Sequence, residues 1–128
     1  MSATVWKHLQ TKIRTVTKGN VYAISRPAQA KPPYVVFNFV RGEPVAIKVT
    51  PTQDIVLVEV KYFDIGLDDA ITNAEAIRTA LEFYAGTLEG TTIKHCRCVE
   101  WQYPEVVEDE KSNVVYEAIY TYEIRLKL

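Results

Sequence analysis

Cys96 and Cys98 are the only thiols of the chain, with His95 beside them. In a strand they would share a face with Cα atoms roughly 7 Å apart, at the limit for a disulfide. A metal site needs four ligands, or three and a water, at recognisable spacings. The other histidine, His8, is far away in sequence. Two ordinary thiols in a strand is therefore the reading, and no metal is expected. Glu105, Glu108, Asp109 and Glu110 form the densest acidic cluster. Paired carboxylates can do acid–base work. These stand next to Ser112-Asn113, in what reads as a solvated turn over 105–113. Lys12, Arg14 and Lys18 crowd the end of the first helical pattern, where cations suit the helix dipole. They read as a solvated face rather than a nucleic-acid contact. There is no glycine-rich phosphate loop, no Gly-x-Ser-x-Gly elbow and no His-Glu-x-x-His. Phe37 and Phe39 lie in an apolar strand without flanking basic residues, so they read as core rather than as an RNA-stacking platform. No catalytic residue and no cofactor is expected; the chain does not read as an enzyme.

The elements that carry these residues centre on 53–85. Val56, Val58, Val60 and Tyr62 alternate with Glu59 and Lys61, the period of a strand with one face on a core. Ile71, Ala74, Ile77, Leu81 and Tyr84 then recur at helical spacing. Asp68 or Asp69 is the expected cap, with Thr72 and Glu75 as an alternative capping box, and Gly86 is the expected stop. Before this unit, 2–17 reads as a helix with Val5, Leu9, Ile13 and Val16 as its stripe and Trp6 at the margin. Ser2 is its candidate cap and Gly19-Asn20 its end. A short extended piece at 21–24 and a linker at 25–33 follow. Pro32-Pro33 leads into a strand at 34–40, with Val35, Phe37 and Phe39 on one face.

Residues 41–53 form a long excursion between two core strands, an extra hairpin or a functional loop. Residues 86–92 read as a loop. Residues 93–103 alternate weakly, with Ile93, His95, Arg97, Val99, Trp101 and Tyr103 on one side and Pro104 as the end. Residues 114–128 are the clearest long strand: Val114, Tyr116, Ala118, Tyr120, Tyr122, Ile124, Leu126 and Leu128 share one face. Val115 and Ile119 are apolar exceptions on the other. The tyrosines read first as packing, though tyrosine also favours protein interfaces. The fold class is α+β, a mainly antiparallel sheet of about four or five strands packed against two helices.

With 128 residues, 1–128 is read as a single domain. Hydrophobic residues make up 48% and charged ones 24%, enough to bury a core. The net charge of −1 offers no global field for nucleic acid. No apolar run is long enough to span a bilayer. The N-terminus lacks the pattern of a signal peptide, so a reducing cytoplasm is the expected place of synthesis.

The order of features carries one resemblance. An amphipathic helix is followed by Val21-Tyr22, then by Pro32-Pro33-Tyr34-Val35-Val36-Phe37. Next come the long excursion, the strand 56–63, and a helix built on Ala74-Glu75-Ala76-Ile77-Arg78-Thr79-Ala80-Leu81. A tyrosine-rich strand closes the chain. This order resembles the tail completion, or tail terminator, proteins of long-tailed bacteriophages, over nearly the whole chain. The acidic turn and the Cys-x-Cys pair have no match in that family. The resemblance implies a subunit that assembles as a homohexameric ring on the head-proximal end of the tail. It would stop growth of the tail tube and join the tail to the head connector. Its partners would be itself, the tail tube protein and the head connector or neck protein. DNA would meet it only in passage, and no membrane is involved. Its place would be the virion, after assembly in the host cytoplasm.

A ring of identical subunits needs two unlike surfaces that close by rotation. The candidate oligomer or tail-tube contacts are Arg41, Glu43, Val45, Ile47 and Lys48 on the excursion, and Val115 and Ile119 on the last strand. Two other readings compete: a head-completion or connector-adaptor (neck) protein, and a small-molecule-binding α+β domain. The last requires a pocket with converging polar groups.

Overall fold

The structure, a computed structural model, describes residues 3–17, 20–23, 31–47, 50–108 and 114–127. Helix α1 (Ala3–Arg14) leads into strand β1 (Asn20–Ala23). Strands β2 (Tyr34–Ile47) and β3 (Thr50–Asp64) follow, and then helix α2 (Leu67–Leu81). Strands β4 (Gly86–Leu88), β5 (Thr91–Glu108) and β6 (Val114–Lys127) complete the chain. One six-stranded sheet has the order β1-β2-β3-β6-β5-β4. Among the described residues only the short β1 runs parallel to its neighbour, and every other pairing is antiparallel. The α+β class therefore holds, with more strands than the sequence pattern suggested. The strand that went unread is β4, three residues long and too short to show a period; β1 answers to the short extended piece expected at 21–24.

Both helices pack on one face of the sheet. That face is built by Val35 and Phe37 of β2, Val56, Val58, Val60 and Tyr62 of β3, and Tyr120, Tyr122, Ile124 and Leu126 of β6. The register sets Val60 against both Phe37 and Tyr120, so the strands present their apolar residues in layers. From α1, Val5, Leu9 and Ile13 are buried and Val16 packs at the margin. Trp6 meets Phe37 at 5.5 Å and Phe39 at 4.3 Å between ring centroids, the latter edge-on. Gln10 donates its side-chain amide to the carbonyl of Val21 at 2.8 Å, tying α1 to β1. Ser2 and Gly19, the expected ends of this helix, lie outside the described residues.

Helix α2 buries Ala70, Ala74, Ile77 and Leu81. The stripe is one residue away from the expected start, because Ile71 is 44% exposed while Ala70 is fully buried. A small residue at 70 lets the first turn approach the sheet closely. No side chain caps the helix: Gly66 is the N-cap, and Asp68 and Asp69 stand in the first turn instead, where acids favour the dipole. At the other end Phe83, not Gly86, takes the left-handed conformation that turns the chain (φ 58°). Its N–H donates to the carbonyl of Cys96 at 2.7 Å. Gly86 has another role. A Cβ there would meet the Tyr84 hydroxyl at 2.9 Å, so only glycine lets that ring lie across the strand. Glu89 and Gly90, both at positive φ, form the tight β4–β5 turn where a loop was expected.

Strand β5 explains its own weak alternation. Its register against β6 shifts at Ile93/His95, Cys98/Glu100 and Gln102/Glu105. Each bulge inserts a residue and flips the parity. Ile93 and Cys96 are therefore both buried although they are three apart. Pro104 does not end the strand. It sits in the third bulge, on an edge beyond the reach of β4, where no ladder bond needs its missing N–H. Residues 105–108 of the expected acidic turn belong to the strand, and 109–113 lie outside the described residues.

Tyr122 is fully buried, and among the described residues its hydroxyl has no hydrogen-bond partner. An unsatisfied buried hydroxyl costs about 1–3 kcal/mol. Tyr122→Phe is accordingly expected to raise the urea midpoint, by about 1 kcal/mol of stability. A loss of stability would show that the hydroxyl is engaged.

Candidate assembly surfaces

Within the expected excursion, residues 41–47 pair with 50–57 as a hairpin arm rather than a loop. Along β3, the pairing with β6 ends where Gln53 meets Lys127, yet β2 and β3 remain paired out to Ile47 and Thr50. Pro44 and Pro51 are tolerated because, among the described residues, no third strand pairs with the arm there. Arg41, Glu43, Val45 and Ile47 thus lie on one strand of this arm, with Arg41 exposed at its base. Lys48 lies outside the described residues.

The contact residues expected on β6 fare differently. Val115 is fully buried and Ile119 is half-buried. Val115 does stand on the face opposite the helices, as its parity requires, but that face is covered there. Tyr34 is 1% exposed on the same side and stacks on Phe63 at 4.8 Å. Tyr34 and Val115 are both buried outside the main core cluster. Val115 is therefore not a surface residue of the subunit. The same face carries the pairs Glu59–Lys61 at 3.5 Å and Arg97–Glu123 at 3.6 Å. Burial raises the Glu117 carboxyl above its usual range, against the opposing pull of Lys61.

An open groove that the sequence did not single out runs between α2 and β5. It has a volume of about 140 Å³ and is lined by Ile71, Glu75, Trp101, Gln102, Pro104 and Tyr120. Trp101 is 40% exposed, and the Arg78 guanidinium lies 5.5 Å from its ring centroid. The Tyr120 hydroxyl donates to Glu75 Oε1 at 3.0 Å. Burial and that carboxylate both push the Tyr120 hydroxyl's pKa up. Exposed Ile65 and Leu67 continue the apolar surface along the start of α2. The signal in the sequence was an excess: Leu67 and Ile71 are apolar in addition to a complete 70/74/77/81 stripe.

Two buried polar clusters brace these elements. At the β3–α2 junction Asp64, only 4% exposed, accepts the Tyr62 hydroxyl at Oδ2 and the Ile65 N–H at Oδ1, each at 2.7 Å. The Asn73 side chain also hydrogen-bonds to Tyr62. The second cluster surrounds His8, which is fully buried. Its Nδ1 lies 3.2 Å from the Thr91 carbonyl and 3.0 Å from Thr91 Oγ1. The Thr91 hydroxyl donates to the Leu88 carbonyl. Both Thr91 oxygens therefore accept from His8, which places the proton on Nδ1. Nε2 then accepts the Tyr84 hydroxyl at 2.7 Å. Lys12 Nζ lies 4.5 Å from the centroid of the Tyr84 ring. A fully buried imidazole with every polar atom engaged can hold α1 to the β4–β5 turn, but it offers no reagent an open path.

The thiols are not a reagent either. Burial pushes the Cys96 thiol up to about 12, with Glu82 and Cys98 adding to the shift, and the half-buried Cys98 is raised for the same first reason. Both are free. Among the described residues no group of three His, Cys, Asp or Glu side chains converges as metal ligands, and no helix is long and apolar enough to cross a membrane.

No protein-family model and no curated protein matches this chain. Among solved structures, the fold matches a chain from the virion of a native gene transfer agent particle, with a TM-score of 0.59 and 14% sequence identity. The match covers 94% of this chain and 84% of that one. The likeness is one of fold.

Proposed function

We propose that this chain is a structural subunit of a virion. In this reading it forms a hexameric ring at the head-proximal end of a long tail, stops growth of the tail tube and joins the tail to the head connector. The observation that carries the reading is the whole-chain likeness of fold to a gene transfer agent virion chain. The order of sequence features and the projecting β2–β3 arm agree with it. The work would be binding and geometry, not catalysis, and the chain would reside in the virion. Its net charge of −1 suits identical subunits that must approach each other, and DNA that must slide through rather than stick.

The test joins mass in solution with end-capping. Light scattering after size exclusion, over a concentration series, is expected to show a hexamer. Electron microscopy of purified tail tubes is expected to show the protein at one end only, with tube length no longer increasing. Binding to purified heads but not to tails would assign it to the neck instead. Indifference to both would overturn the reading.

A further inference from the structure

We infer that the basic surface formed by α1 and the bend of β2 docks against the acidic outer face of α2 on a second copy of this chain. The inference rests on the ring reading and names the two unlike surfaces that such a ring requires.

Charge is divided along the chain. Residues 1–42 hold seven cations and no acid, whereas 43–128 hold eight cations against all sixteen acids. The small net charge therefore hides two large and opposite parts. Strand order turns this division in sequence into a division in space. Strands β1 and β2 stand at one edge of the sheet, while α2 packs over β6 and β5 in the other half.

Local geometry names the contact residues. Trp6 sits edge-on against Phe39, which places the Lys7 turn of α1 beside the β2 bulge between Phe39 and Arg41. The bulge leaves Val40 59% exposed, with Arg41 exposed next to it. On α2, Asp68, Ile71 and Glu75 recur at three- and four-residue spacing and share one outward stripe. Asp69 stands beside it, and all four are exposed. Arg78 is the only cation of that helix, and it lies over Trp101. Each surface thus sets an exposed apolar residue among charges mainly of one sign.

The two surfaces do not serve each other within one copy. Arg41 is level with Leu57 of β3, and α2 begins beyond Asp64. Seven residues of strand separate those levels, about 23 Å at the usual rise, against a screening length of about 8 Å at physiological salt. Among the described residues Lys7, Arg14 and Arg41 stand in no ion pair; the pairs present, Glu59–Lys61 and Arg97–Glu123, both lie within 43–128. DNA would answer the basic surface alone. A second copy answers both surfaces at once.

Two charge-reversed chains test this: Lys7→Glu with Arg41→Glu, and Asp68→Lys with Asp69→Lys. All four side chains are exposed, so circular dichroism is expected to show the parent fold. Each variant alone is expected to associate at least about tenfold more weakly than the parent, in solution and on tail ends. Their equimolar mixture is expected to regain the parent mass, because each reversed surface then meets a complementary one. Variants that each assemble like the parent, or a mixture that stays dissociated, overturn the docking and leave the ring reading standing. A Lys7→Glu, Arg41→Glu chain that assembles fully yet loses binding to duplex DNA or to tube protein assigns the basic surface to that partner and likewise overturns the docking. A parent chain that stays monomeric alone and on tail tubes overturns both.

Discussion

Asp64→Ala is expected to destabilise the protein by about 3 kcal/mol, because it strips two short hydrogen bonds from a buried carboxylate at once. Tyr62 would lose its acceptor and the Ile65 N–H would lose its only cap, both at 2.7 Å. The damage falls where β3 becomes α2, and Gly66 supplies no side chain to take over. Helix α2 carries Ala70, Ala74, Ile77 and Leu81 into the core and Ile71 and Glu75 into the groove. Loosening its first turn therefore reaches the groove as well as the core. Asp64→Asn keeps one acceptor oxygen and should lose less, about 1–2 kcal/mol. Tyr62→Phe removes the same hydroxyl bond from the other side. A double-mutant cycle in urea between positions 62 and 64 should show a coupling of about 1 kcal/mol or more. Additive losses would mean that the carboxylate acts only through Ile65.

His8→Ala is expected to cost about 3 kcal/mol, part from the cavity and part from leaving the Tyr84 hydroxyl and Thr91 without their partner. The same site makes stability depend on pH. Burial, with a smaller push from Lys12, holds the His8 pKa below its ordinary 6.5, against the pull of the Thr91 carbonyl and of Glu89. The unfolded chain therefore binds the proton more readily than the folded one. The neutral imidazole's contribution is complete above pH 6.5 and is lost as pH falls from there toward the lower folded value. Urea midpoints at several pH values between neutral and mildly acidic should show this slope in the parent chain. It should shrink in His8→Gln, which keeps polar groups at the site but cannot titrate. An unchanged slope would place the acid sensitivity in another group.

Much of the architecture is legible in the residue pattern. The 5/9/13 stripe of α1, the 56/58/60/62 face of β3 and the long period-two run of β6 each name the face that is buried. These elements are long and regular, and their apolar residues all answer to one neighbour, the core. The excess of apolar residues at 67 and 71 was visible too, although Ile71 was assigned to the buried stripe instead of to the surface beside it. Where several partners compete, local pattern misleads. In β5 three bulges flip the parity, so the run from Ile93 to Trp101 cannot be read as one alternation. Pro104 looked like a stop because a single chain does not show which strand edge is free. Val115 looked like surface because parity reports the side of the sheet, not what lies over it.

By itself the sequence determined the α+β class, the two helices, the core strands and the absence of any recognised catalytic motif, since these follow from periodicity and composition. Tertiary structure alone decided how distant residues meet. It brought His8 to Tyr84 and Thr91, across 76 and 83 positions, and Glu75 to Tyr120 across 45. It also set the β2–β3 arm and the α2–β5 groove at different levels along the sheet. Those placements depend on strand order and register, which are settled by how whole faces pack together and leave no trace in any single stretch of chain.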